Sequence, residues 1–129
     1  VEYNVQENKD SNYENPESYV VKQLIEIGMS PNLKGFNYLK DAIILCIEEP
    51  KKINSMTKIL YPDVAKIYNT TSASVERAIR HAITITWEKN KGENNHFKLD
   101  CLKIYTEKPK NSSFILAIAK EYRNRKSAK

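Results

Sequence analysis

Glycine is scarce in this chain: Gly28, Gly35 and Gly92 are the only three in 129 residues, and they stand far apart. A loop that cradles a nucleotide phosphate needs several glycines close together, so a Gly-rich phosphate loop is excluded and each glycine is read as helix punctuation. Metal-binding side chains are equally few. His81, His96, Cys46 and Cys101 are all there are of their kinds, and no two of them have the close spacing of a ligand pair, so no metal and no cofactor is expected. Two distant cysteines, one of them inside an apolar run, argue for reduced thiols in a cytoplasmic protein. Long apolar runs are missing as well. The longest, Ala42 to Ile47, suits a buried helix and is too short to span a membrane, and no basic region followed by an apolar one marks a signal peptide. Paired carboxylates for acid–base work are also absent: Glu48 and Glu49 end a helix before Pro50 and read as solvated surface. An enzyme is therefore not expected.

What is there is basic charge, unevenly placed. The chain carries +5, yet its first 17 residues set Lys9 against Glu2, Glu7, Asp10, Glu14 and Glu17, a net of −4 that leaves +9 on the rest. A basic body of that size suits a polyanionic partner. The length fits one domain, and 40% hydrophobic with 29% charged residues fits a soluble globular one. Val1 to Asn15, rich in Asn, Glu and Ser and without periodicity, is expected to be a disordered linker from a missing upstream part, with the folded domain over residues 16–129.

The most informative stretch is Tyr61 to Arg80. It reads as two short helices joined by a sharp turn. Ala65 falls where the second helix must come close and only a small side chain leaves room. Asn69, four residues on, falls at the corner, where the backbone needs positive φ; after Gly, Asn tolerates that best. Val64, Tyr68, Val75 and Ala78 point between the helices. Thr71 caps the second helix, and Val75, Ala78, Ile79, Ala82, Ile83 and Thr86 form its buried stripe. Ser72, Ala73, Glu76, Arg77 and Arg80 are left outside. Small residues followed by Glu and two Arg suit a DNA major groove, where Arg bonds guanine and Glu accepts from cytosine. The plainer alternative is a surface helix with Glu76 and Arg80 as a solvated pair. Lys58, Lys66, Lys108 and Lys110 lie near helix starts or in loops, where a cation could meet phosphate. His81 is open between a phosphate contact, a partner contact and a plain exposed histidine. Trp87 is read as core rather than as a base-stacking platform.

Around this motif the expected fold is all-α, with about six helices. Asn15-Pro16 starts one that carries Tyr19 or Val20, Leu24 and Ile27 inward and stops at Gly28. Gly35 to Glu49, after a start signal at Ser30-Pro31, is the central buried helix, with Phe36, Leu39, Ala42, Ile43, Cys46 and Ile47 inward. Ser55 is expected to cap a short helix through Leu60, and Pro62 to restart the chain. The second motif helix is expected to end near Asn90 to Gly92, the polar stretch from there to His96 is read as a loop, and Phe97, Leu99, Leu102 and Ile104 as a short helix and its exit. Asn111-Ser112 begins the last helix, with Phe114, Ile115, Ile118, Ala119 and Tyr122 inward and Lys120, Arg123, Arg125 and Lys126 wet.

Ser-Met-Thr-Lys-Ile-Leu-Tyr-Pro-Asp-Val-Ala-Lys (Ser55 to Lys66) and Val-Glu-Arg-Ala-Ile-Arg-His-Ala-Ile (Val75 to Ile83) carry a resemblance, supported by Ile27 to Leu39 and Lys108 to Ile115. Over roughly residues 18–122 the chain resembles the C-terminal effector domains of the stage-zero sporulation response regulators of endospore-forming Firmicutes. The resemblance implies a two-component transcription factor governing entry into sporulation. In that family a phosphorylated receiver domain releases a six-helix effector to bind double-stranded promoter DNA, activating some promoters and repressing others. It implies that Thr71 to Trp87 is the base-reading helix, so that Glu76, Arg77 and Arg80 contact bases or phosphates; Thr71, Ser72, Ala73 and Ser74 at the start of that helix, and Lys58, Lys66 and Lys108, are expected to meet the DNA as well. It also implies that His81 meets the sigma subunit of RNA polymerase and that the domain forms a homodimer on tandem sites through the last helix. One departure is visible: the family places Arg immediately before Val-Glu-Arg, where this chain has Ser74, which removes a contact worth about 1–3 kcal/mol. A reading from another class is a helical interaction module whose Arg77/Arg80 face docks an acidic protein.

Overall fold

The computed structural model describes residues 15–90 and 97–127. The expected linker lies outside the described residues apart from Asn15, and so do Gly92, His96 and the expected loop from residue 91 onward. Helix α1 (Pro16–Glu26) begins at Asn15, whose side-chain oxygen accepts the Ser18 N–H at 2.8 Å, with Pro16 at the position where a missing N–H costs nothing. It ends at Gly28, whose φ of +88° turns the chain so that the N–H groups of Gly28 and Met29 bond the carbonyls of Ile25 and Leu24 at 2.9 and 3.0 Å. Tyr19 and Val20 are both buried, together with Leu24 and Ile27.

Helix α2 (Lys34–Glu48) is the central one. Phe36, Leu39, Ala42, Ile43 and Cys46 are buried, and all four other α-helices pack against it. Its start lacks a side-chain cap; Ser30 shapes the turn before it, accepting the Asn32 N–H on its hydroxyl and the Leu33 N–H on its carbonyl, each at 3.2 Å.

Between α2 and the motif the chain is helical but not α-helical. Pro50–Ser55 is a 3₁₀ stretch and Met56–Leu60 a π turn. Ser55 makes no capping hydrogen bond, contrary to the sequence reading. The π turn runs straight into α3 (Tyr61–Ile67), with the Tyr61 N–H bonded to the Met56 carbonyl five residues back and Pro62 next, unable to donate an i→i−4 bond.

Helix α4 (Ser72–Asn90) buries Val75, Ile79, Ala82, Ile83, Thr86 and Trp87. Thr86 is buried as expected, and its hydroxyl donates to the Ala82 carbonyl at 2.8 Å. Between Phe97 and the last helix, only Asp100–Leu102 is helical, as a 3₁₀ turn, and Ile104 is 78% exposed. Helix α5 (Asn111–Ser127) buries Phe114, Ile115, Ile118, Ala119 and Tyr122 as expected. Arg123 is not simply wet: its guanidinium donates to the Cys46 carbonyl at 3.2 Å. Aromatic edges tie the far side together, Trp87 to Phe97 at 5.2 Å and Phe97 to Phe114 at 5.6 Å, which places Trp87 in the core. The fold is all-helical, with five α-helices and no strand among the described residues. The expected short helix through Leu60 is a π turn over Met56–Leu60, and the one expected between Phe97 and Ile104 is the 3₁₀ turn Asp100–Leu102.

Candidate nucleic-acid interface

The corner between α3 and α4 is built as its residue types require. Asn69 has φ +53°, the only positive value at a non-glycine among the described residues. Around it the N–H groups of Tyr68, Asn69 and Thr70 bond the carbonyls of Val64, Lys66 and Ala65 at 3.3, 3.4 and 2.9 Å, which closes α3 and turns the chain. Ala65 is 5% exposed, under the crossing. Thr71 then caps α4, accepting the Ser74 N–H at 3.1 Å and donating to the Ser74 hydroxyl at 3.0 Å.

The corner before it, the flank of α2 and the turn after α1 hold α4 in place. Tyr68, half-buried beside the corner, donates its hydroxyl to the Asp41 carboxylate on α2; burial and that carboxylate push the phenol above its ordinary range. Gly35 lies inside α2 and corrects the punctuation reading. A Cβ there would stand 2.2 Å from the Ala78 carbonyl oxygen and 2.7 Å from the Ala82 Cβ, so the missing side chain is what lets α4 lie against α2. At the far end, Lys89 donates to the Gly28 carbonyl at 2.6 Å and Asn90 to the Ile27 carbonyl at 3.1 Å.

These constraints leave one face of α4 outward. Thr71, Ala73, Arg77, Arg80 and His81 are exposed, while Ser72, Ser74 and Glu76 are half-buried. Glu76 and Arg80 form an ion pair at 3.2 Å, as the plainer reading anticipates. A pair that open to water contributes only about 0.3–0.5 kcal/mol, too little to hold Arg80 from a stronger acceptor. Arg77 has no ion-pair partner among the described residues.

Beside this stripe runs a groove between α4 and the start of α5, lined by Glu76 and Arg80 on α4 and by Lys108, Lys110 and Asn111 across from them, with Tyr61 between. Three cations against one carboxylate give it positive character. The structure thus brings Lys108 and Arg80 to one groove. Lys58 and Lys66 are exposed on the π turn and on α3, outside the groove lining, and His81 is one residue beyond Arg80. Lys110, Tyr61 and Asn111 are groove residues not among the expected contacts, although Lys110 was noted as a cation near a helix start. Asn111 donates through Nδ2 to the Tyr61 hydroxyl at 3.0 Å and to the Glu76 carbonyl at 3.3 Å. Lys108 and Lys110 pointed toward Asn111 as its sequence neighbours, and nothing in the sequence placed Tyr61 beside them.

Among the described residues no group of three or more His, Cys, Asp and Glu side chains is placed to hold a metal, and no helix is long and apolar enough to cross a membrane. Both cysteines are free thiols. Residues 20–122 match the family described as "Sporulation initiation factor Spo0A C terminal", a span that takes in the corner, all of α3 and α4, and α5 as far as Tyr122. That match covers most of the chain and agrees with the resemblance carried by its motifs, so the chain belongs to the family of sporulation initiation factor Spo0A C-terminal domains.

Proposed function

We propose that this domain binds double-stranded promoter DNA sequence-specifically, with α4 in the major groove. Glu76, Arg77 and Arg80 read base edges, and the first-turn residues Thr71, Ser72, Ala73 and Ser74 approach the bases closely. Lys58, Lys66 and Lys108 meet phosphates. It acts as the effector of a phosphorylation-controlled response regulator in the cytoplasm, activating and repressing promoters at entry into sporulation. The sigma subunit of RNA polymerase meets it at His81, and two copies pair on tandem sites. The reading assigns it no catalytic step.

The observation that carries this is the tight corner at Asn69, φ +53°, which crosses α3 beneath α4 and leaves Arg77 and Arg80 together on an exposed stripe. The experiment is a competition between duplexes enriched by the wild-type domain from a random library and scrambled duplexes, at two salt concentrations. Arg77→Ala is expected to remove preference for the enriched site, a loss of about 1–3 kcal/mol. Lys58→Ala should weaken all duplexes alike and flatten the salt dependence by about one unit. Unchanged preference in Arg77→Ala refutes the reading helix. Binding that ignores DNA sequence and follows one acidic protein supports the interaction module instead.

A further inference from the structure

We propose that Asn111 is a positioning residue for base reading: its amide fastens the start of α5 to the α4 backbone at Glu76 and sets how Glu76 and Arg80 project into the groove. This rests on the assignment of α4 as the base-reading helix. Asn111 is 9% exposed and is the first residue of α5. Its Nδ2 carries two hydrogens and has two acceptors, the Tyr61 hydroxyl at 3.0 Å and the Glu76 carbonyl at 3.3 Å. Tyr61 is the first residue of α3, so one amide joins the three helices that surround the groove.

The side-chain chemistry is selective. A hydroxyl has one hydrogen to give, a carboxylate has none, and only an amide of this length serves both partners. The Glu76 carbonyl already takes the N–H four residues on as part of the α-helix, so Asn111 occupies its second lone pair. Removing Asn111 therefore leaves the helix ladder intact and loosens one of the ties that set the rotation and depth of α4. Lys108 and Lys110 immediately precede Asn111 and share the groove with Arg80. The same tie thus fixes the spacing between phosphate-facing lysines and base-facing arginine, which is what converts phosphate contacts into correct register on the bases.

The test uses Asn111→Leu, similar in size and without a donor, and Asn111→Ser, which keeps a good helix-start residue but is shorter and has a single hydrogen to give. Both are measured against library-enriched and scrambled duplexes at two salt concentrations, with thermal unfolding alongside. The expected result is a drop of about tenfold in preference for the enriched duplex, the size of one displaced base contact, with scrambled-duplex affinity and salt slope unchanged. In a Glu76→Ala background, which keeps the backbone carbonyl that Asn111 bonds, the effect of Asn111→Leu should shrink by the share that the Glu76 side chain carries and leave the share that Arg80 carries. A purely structural role would lower both affinities in step with the melting temperature, and that result overturns the proposal. Unchanged preference in the folded variants overturns it too. Arg77→Ala in the same assay separates the causes. If it loses preference while both Asn111 variants keep theirs, only the positioning role fails; if it keeps preference, the assignment of α4 fails and the positioning role with it.

Discussion

Gly35→Ala sets two physical effects against each other at one atom. In a helix interior alanine is favoured over glycine by about 1 kcal/mol, and Gly35 is the second residue of α2, so propensity alone predicts a small gain in stability. Packing predicts the reverse. The new Cβ would lie 2.2 Å from the Ala78 carbonyl oxygen, 2.8 Å from the Ala78 carbonyl carbon and 2.7 Å from the Ala82 Cβ. Ordinary contact for such atoms is near 3.5 Å, so α2 and α4 must part by about 1 Å. Two of the three obstructing atoms are backbone, so no rotamer change relieves them. Overpacking of this kind costs about 1–3 kcal/mol, and immovable neighbours put Gly35→Ala toward the upper end. A net loss of about 2 kcal/mol lowers the melting temperature by roughly 8 °C in a domain of this size. Circular dichroism melts and urea titration measure it, with an unchanged urea slope showing that the folded state is lost as a unit. A variant as stable as the wild type, or more so, would mean that α2 and α4 do not meet this closely.

Three further outcomes follow from particular residues. At Asn69, with φ +53°, Asn69→Ala should cost about 1 kcal/mol and Asn69→Gly almost nothing; equal losses in a denaturation series would refute a conformational role for that corner. Burial pushes the Cys46 and Cys101 thiols up to about 11, opposed at Cys46 by Arg123 and aided at Cys101 by Glu121. Unfolded thiols lose their protons near 9.0, so this contribution to stability is full below that pH and declines as pH rises through 11. At pH 8 a thiol reagent should label the buried Cys46 only at the rate the domain opens and the half-buried Cys101 faster; immediate labelling of Cys46 contradicts its burial. Ser74→Arg restores the residue that the family resemblance places before Val-Glu-Arg and should tighten binding to the enriched duplex by about 1–3 kcal/mol, read by mobility-shift competition, with no gain refuting a DNA contact at that position.

What the sequence disclosed is what local chemistry decides. Asn15 followed by Pro16, Thr71 ahead of a helical stripe, Gly28 at a helix end and Asn69 at a corner each satisfy backbone groups within a few residues, and each is found doing so. Apolar spacing likewise placed Val20, Leu39, Ile79 and Ile118 in the core. The two Arg of the α4 stripe are outward because that same periodicity leaves them nowhere else to go. The π turn over Met56–Leu60 was not legible, since Pro62 marks a helix start as readily as it marks a shifted ladder.

The contacts that eluded the sequence are long-range, and they share a consequence. Asn111 bonds partners 50 and 35 positions away, Lys89 one 61 positions away, and Gly35 matters only because Ala78 and Ala82 come to it from another helix. A two-helix corner such as the one at Asn69 fixes how α3 and α4 cross. It leaves open how α4 is rotated and how deeply it sits. Those two variables are set from outside the motif: by the absent side chain of Gly35 on one flank, by Asn111 on another, and by the turn after α1 at the far end. The direction in which Glu76, Arg77 and Arg80 point is therefore a property of the whole helical body. Substitutions at Gly35 or Asn111, neither of them on the α4 stripe, should alter base preference as surely as a change on the stripe itself.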